Sequence, residues 1–308
     1  MGFKPFFAST YGKISGNSIP CGKAVERQGI SKHEIRLPLS SLCKHCLIAG
    51  STGTGKSRSA QLIAEALSLR GIPVLFTDVK GDVSDFATPG DSSKVDARSR
   101  ELGYKYAPSG FPSAYWSLSS RLIPLKLRLD EISPALLAKF MGLNPTQESH
   151  LAVILPYARE RGMDVFGLKE LGSLLEFLRL NPGEVPGLST STLDVLLRKC
   201  SGLVASGLDS IFSGNALDAQ DLLQVAPDGR GVISVLSLSD YREKPDVFSA
   251  ATAFILNRLF SSLPDVGDEG KPRLAVFFDE AHYLFINANK SLTDLMTTIL
   301  RQIRSKGV

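Results

Sequence analysis

The chain has 308 residues, 43% of them hydrophobic and 21% charged, an ordinary globular composition with room for one large core plus an elaboration, or for two domains. Its formal net charge of +4 permits a nucleic-acid partner without demanding one. Four cysteines do not make a disulfide scaffold, no apolar run is long enough to span a bilayer, and Met1-Gly2-Phe3-Lys4-Pro5 leads into no signal peptide, so the chain reads as soluble and cytosolic with no membrane partner.

Residues 1 to 45 read as an N-terminal arm with a lead-in strand. Up to residue 32 the sequence is irregular; Glu34-Ile35-Arg36-Leu37-Pro38-Leu39 then alternates polar and apolar like an edge strand, where Pro38 is tolerated. Cys43-Lys44-His45-Cys46 is a C-x-x-C, but Cys21 and Cys200 supply no second pair for zinc, and ordinary thiols are the better reading. Cys46-Leu47-Ile48-Ala49 is a short apolar run of strand type. It leads into Gly50-Ser51-Thr52-Gly53-Thr54-Gly55-Lys56-Ser57, which is G-x-x-x-x-G-K-[ST], the phosphate-binding loop. From Arg58 to Arg70, Leu62, Ile63, Ala66, Leu67 and Leu69 fall at helical spacing. Strand, glycine loop and helix are the context the motif needs. The loop's N–H groups and the positive end of the helix dipole converge on one spot. There Lys56 would meet the β- and γ-phosphates and the Ser57 hydroxyl would ligate Mg²⁺.

Gly71 is placed to end that helix. Pro73-Val74-Leu75-Phe76-Thr77 reads as a buried strand that delivers Asp78-Val79-Lys80-Gly81-Asp82 at its C-terminal end, where ligands collect in parallel α/β sheets. Residues 88 to 110 are loop-rich, and Ala114-Tyr115-Trp116-Ser117-Leu118 is a further strand candidate, with Trp116 a core residue rather than a base-stacking platform. From about residue 131 to 225 the pattern turns helical: a stretch opened by Ser133-Pro134, a helix capped by Asn144-Pro145 and running to about Arg161, and helices over Leu168 to Leu180 and Leu193 to Val204. This predicts an all-helical insertion on an α/β core. The core resumes with the β-branched run Gly231 to Leu238, a helix over Asp246 to Leu263, and Leu274-Ala275-Val276-Phe277-Phe278-Asp279-Glu280.

That last run is what a Walker B strand looks like. Asp279 would hold Mg²⁺ through a water, and Glu280, one residue on, would polarise the attacking water. A second carboxylate serving a water argues for hydrolysis over transfer to a small acceptor. Asp279-Glu280-Ala281-His282 also spells the DEAH box, but in those helicases no helical insertion of this size separates the glycine loop from the acid box.

Taken together, Leu47-Ile48-Ala49-Gly50 with Thr52 to Lys56, Asp78 to Asp82, Asn144-Pro145-Thr146-Gln147-Glu148, Gly229-Arg230-Gly231-Val232-Ile233, Phe277 to His282 and Arg304-Ser305-Lys306-Gly307-Val308 resemble the HerA-like ATPases of the bacterial YjgR type, within the HerA/FtsK group of ring-forming motor ATPases. The resemblance runs from about Glu34 to Val308. It implies a RecA-like P-loop core over 46–308 with a mostly parallel sheet, ATP with Mg²⁺, a hexameric ring, and DNA translocation as in the better-understood relatives. Asp82 matches an acidic position of the family's second-strand motif, and Ser57 stands where many relatives have Thr. Ring assembly further implies a trans-acting arginine, for which Arg230, Arg301 and Arg304 are candidates. Members continue after Arg-Ser-Lys-Gly-Val with a strand between the glycine-loop and Walker B strands, so the resemblance implies that residues 1–308 lack that strand and hydrolyse little by themselves. The alternative is a nucleotide-dependent switch or assembly module without motor activity.

Overall fold

The computed structural model describes residues 14, 16–26, 29–81, 85–91, 93, 95–104, 107–118, 122–212, 217–267, 270–284 and 290–308. The chain enters through an antiparallel pair, β1 (Ser18–Glu26) and β2 (Gly29–Pro38), with Ser18 opposite Pro38. Strand structure therefore begins well before the alternation at Glu34. Pro38 ends β2, where its missing N–H costs no ladder bond, and a single helical turn α1 (Leu39–Leu42) follows with Leu39 buried.

The centre is a parallel sheet of β3 (Val74–Asp78), β4 (Ser113–Ser117), β5 (Ile123–Pro124), β6 (Ile233–Ser237) and β7 (Ala275–Phe278), in the order β5-β4-β6-β3-β7. In register, Val74 lies opposite both Ile233 and Ala275, and Thr77 opposite both Leu236 and Phe278. All five residues of β3 are buried, as expected where helices cover both faces of a parallel sheet. The pleat sends Val74 and Phe76 to one side and Leu75 to the other. On the first side they meet Ala64 and Leu67 of α2 (Lys56–Ser68), Ile19 of β1, Phe86 and Phe111. Phe76 also stacks on Phe277 of β7, with ring centroids 5.3 Å apart.

The other side carries most of the helices: α4 (Pro134–Phe140), α5 (Pro145–Glu160), α6 (Leu168–Leu180), α7 (Thr190–Ala205), α8 (Pro245–Ser262) and α9 (Lys290–Gln302). One continuous cluster joins Leu151, Leu175 and Leu196 of α5, α6 and α7 to Phe254 of α8, Ile299 of α9, and Leu75 and Leu236 of the sheet. The helical stretch thus shares its core with the sheet. Local signals fix its boundaries. Asn144 caps α5 in a reciprocal box with Gln147, Ser189 accepts the Thr192 N–H at the start of α7, and Pro134 and Pro145 take first-turn positions where no N–H is needed.

Three expectations are corrected. Cys46-Leu47-Ile48-Ala49 forms no strand, and Leu47 is 83% exposed. The stretch 88–110 contains a helix, α3 (Asp96–Leu102), closed by Gly103 in the left-handed region. The face of α2 turned to the sheet is not the all-apolar one: Gln61, Ala64, Leu67 and Ser68 are buried, while Leu62 and Leu69 are more than half exposed. Ser68 can be buried because its hydroxyl donates to the Gly231 carbonyl at 2.6 Å.

Cys43 is half-buried, Cys21 and Cys46 are exposed and Cys200 is buried, and none of the four is in a disulfide. Among the described residues no group of three or more His, Cys, Asp or Glu is arranged to hold a metal. No described helix is long and apolar enough to cross a membrane.

Candidate functional site

Because β3 and β7 run parallel, their carboxyl ends emerge on the same side of the sheet, beside the N-terminus of α2. The glycine loop turns there because two of its positions take the left-handed backbone that favours glycine: Gly53 sits at φ +79° and Gly55, the residue before α2, at φ +93°. The loop is closed on one acceptor. The Ser51 carbonyl receives the Thr54 N–H (3.3 Å), the Thr54 hydroxyl (2.7 Å) and the Lys56 ammonium (3.0 Å). Residues 50–55 are exposed, and Lys56 and Ser57 are half-buried.

Chain folding brings the two expected halves into contact. The Ser57 hydroxyl donates to Asp279 Oδ1 across 3.4 Å, from positions 222 residues apart. Hydroxyl and carboxylate are hard oxygen donors of the kind Mg²⁺ takes, directly or through one of the waters it keeps. The pair fits that ion, with other positions left for water or phosphate oxygens. Asp82 lies outside the described residues.

Glu280 is held by two groups to which the sequence motifs alone assign no role. Lys80, from the turn after β3, forms an ion pair with Oε1, and His282 Nδ1 lies 3.2 Å from Oε2. Glu280 has φ +50°, alone among the described non-glycine residues in the left-handed region, a conformation that costs about 1 kcal/mol or more and persists only where its surroundings impose it. Here they do: the Tyr283 N–H donates to the Glu280 carbonyl at 2.9 Å, and the Ser249 hydroxyl of α8 donates to the Tyr283 carbonyl at 2.9 Å. The hydrogen bond from Lys80 holds the Glu280 carboxyl below the ordinary carboxylate range against the opposing effect of burial, with further contributions from the charges of Lys80, His282 and Lys56. Lys80 lies within the singled-out Asp78 to Asp82 motif. The parallel register is the signal that could have placed it, since Lys80 and Glu280 lie three and two residues beyond the paired Thr77 and Phe278.

The three arginine candidates differ in surroundings. The Arg230 guanidinium binds Asp228 at 2.7 Å and donates to the Gly110 carbonyl at 2.7 Å, beside Phe111. Arg301 and Arg304 are exposed and line an open cavity of 590 Å³ with Lys271 and Asp265.

The family model for the C-terminal region of HerA-like helicases matches residues 24–308. No curated protein matches the chain. Among solved structures, VirB4 of Thermoanaerobacter pseudethanolicus is similar with a TM-score of 0.51 at 14% identity, over 94% of this chain and 76% of that one. The bacterial conjugative coupling protein TrwBΔN70, in its unbound monoclinic form, gives 0.55 at 17% identity over 93% of this chain and 64% of that one. The plasmid coupling protein TrwB in complex with the non-hydrolysable ATP analogue ADPNP gives 0.51 at 13% identity over 96% and 73%. The chain thus spans less than two thirds of the TrwBΔN70 chain. At such identities the likeness is one of fold, that of the RecA-like P-loop ATPases. With the family match covering all but the first 23 residues, the chain belongs to the HerA-like C-terminal helicase family, in the HerA/FtsK group of P-loop ATPases.

Proposed function

We propose that the glycine loop and the end of β7 form the core of a site that binds ATP with Mg²⁺ and hydrolyses it. The observation that carries this is the meeting of Ser57 and Asp279 at the N-terminus of α2, the place where a phosphate finds free N–H groups and the positive end of a helix dipole. The ADPNP complex of TrwB, a protein of the same fold, supports ATP as the nucleotide. Lys56 and the loop N–H groups would give up the Ser51 carbonyl for phosphate oxygens. The Ser57 hydroxyl would hold Mg²⁺, with Asp279 reaching it through a water. Bound there, the ion would supply positive charge against the phosphates. Glu280 would accept a hydrogen bond from the attacking water and orient it. Asp82, matched to an acidic family position, completes the assignment as a nucleotide-site residue.

By resemblance, the finer reading is an ATPase of the YjgR type that acts as a homo-hexameric ring on DNA, with an arginine from the neighbouring subunit at the γ-phosphate. Arg301 and Arg304 suit that role better than Arg230, whose guanidinium is held by Asp228 and Gly110. Replacing Glu280 with Gln should preserve nucleotide binding and lower turnover on the order of a hundredfold, the loss typical of removing a general base. Parental turnover in Glu280→Gln would move the catalytic role elsewhere. Acceleration of turnover by added DNA favours the motor; nucleotide binding with no response to DNA favours a switch or assembly module.

A further inference from the structure

The turn Asp78-Val79-Lys80-Gly81 is built to keep one side chain in place. Val79 is buried in the core at 1% exposure. Asp78 Oδ1 accepts the Gly81 N–H at 2.8 Å, and the Asp78 carbonyl accepts the Leu238 N–H at 2.8 Å, which ties the turn to the end of β6. Gly81 sits at φ +74°, where a side chain would be strained. Lys80 is the residue these anchors leave at the surface. Its ammonium crosses from the end of β3 to Glu280 Oε1 at the end of β7.

The pair is partly exposed, with Lys80 at 40% and Glu280 at 23% side-chain exposure. Ion pairs so placed contribute little to global stability, so the anchoring of both partners calls for a local reason. Glu280 supplies one. Its backbone is held at φ +50°, its Oε2 lies by His282, and its carboxylate must stay aimed to orient a water. A carboxylate offers about four acceptor positions. Lys80 and His282 engage one on each oxygen and leave capacity for a water.

We propose that Lys80 is a positioning residue for hydrolysis: it fixes the Glu280 carboxylate by one oxygen so that the remaining acceptor positions face the attacking water. This rests on the reading of Glu280 given above. Lys80 touches no phosphate in this scheme, so its loss should slow the chemical step and spare binding. Misplacing a catalytic group by about 1 Å costs on the order of a hundredfold.

The test uses the full chain with Lys80→Met and Lys80→Arg, each alone and with Glu280→Gln. Steady-state ATP turnover, KM and ADP affinity by titration are measured together with thermal melting. Lys80→Met should lower kcat about tenfold or more while KM and ADP affinity stay within about twofold. Lys80→Arg should recover most of the rate, and Lys80→Met should cost nothing further in Glu280→Gln. A parental kcat in Lys80→Met would overturn the proposal, as would a kcat loss matched by loss of ADP affinity or a full extra loss in the Glu280→Gln background. If the parental chain neither binds nor hydrolyses nucleotide, the hydrolase reading fails separately. Melting then still reads the contact: the cycle of Lys80→Met and Glu280→Gln should be non-additive by about 1 °C or more, and additive shifts would refute the clamp.

Discussion

Ser57 and Glu65, both on α2, carry opposite lessons about a carboxylate and its surroundings. Ser57 faces the Asp279 carboxylate, and its hydroxyl is the group assigned to Mg²⁺. Ser57→Ala should weaken the dependence of nucleotide affinity on Mg²⁺ by about tenfold or more, whereas Ser57→Thr, which keeps the hydroxyl, should leave it near parental. Equal Mg²⁺ dependence in Ser57→Ala and Ser57→Thr would remove Ser57 from the metal site. Burial pushes the Glu65 carboxyl above its ordinary value, with Arg58 opposing. The folded chain therefore holds that proton more tightly than the unfolded chain does. The stability this contributes is fully present below the unfolded value and is lost as pH rises through the folded one. Glu65→Gln removes that slope. Its melting temperature should exceed the parental one at pH 7, and the gain should shrink toward pH 4. A pH-independent difference would show that Glu65 is not the titrating group.

At the scale of elements, the helices that locate themselves by local chemistry were legible in sequence. Asn144-Pro145 and Gln147 specify the start of α5 wherever it packs, and Asn144→Ala should cost about 1 kcal/mol in denaturant unfolding. A cost near zero would mean that the box seen in the structure contributes nothing to stability. The β-branched run ending in Ser237 was equally legible, because a strand covered on both faces has no polar alternation to hide it; the apolar run before Asp279 was legible from its residue types, although β7 is only half-buried. Elements defined by partners were less so. Cys46–Ala49 has strand composition, yet composition does not create a neighbour to pair with, and Leu47 stays exposed. The buried face of α2 includes Gln61 and Ser68 because the sheet and the Gly231 carbonyl lie there; hydrophobic spacing alone points to Leu62 and Leu69. In the site, Lys56, Ser57 and Asp279 follow from motif chemistry. The grip of Lys80 on Glu280 depends on strand register, which no local pattern encodes, whereas His282 reaches Glu280 from two residues along the chain.

At the scale of the whole molecule, the proposed ring requires a neighbour to complete each site. Arg301→Ala or Arg304→Ala, mixed with Lys56→Ala, should recover part of the turnover that each variant lacks alone, since one interface then carries an intact loop and an intact arginine. No recovery with either variant would rule out both as trans residues. The central claim is nearer to hand: that the loop over Gly50–Ser57 and the end of β7 form one Mg²⁺–ATP site. Equilibrium titration of the parental and Lys56→Ala chains with an ATP analogue, with and without Mg²⁺, tests it most directly. Saturable binding strengthened by Mg²⁺ in the parental chain, and weaker by about tenfold or more in Lys56→Ala, is the predicted result. Equal affinity in the two chains, or parental binding indifferent to Mg²⁺, would contradict it.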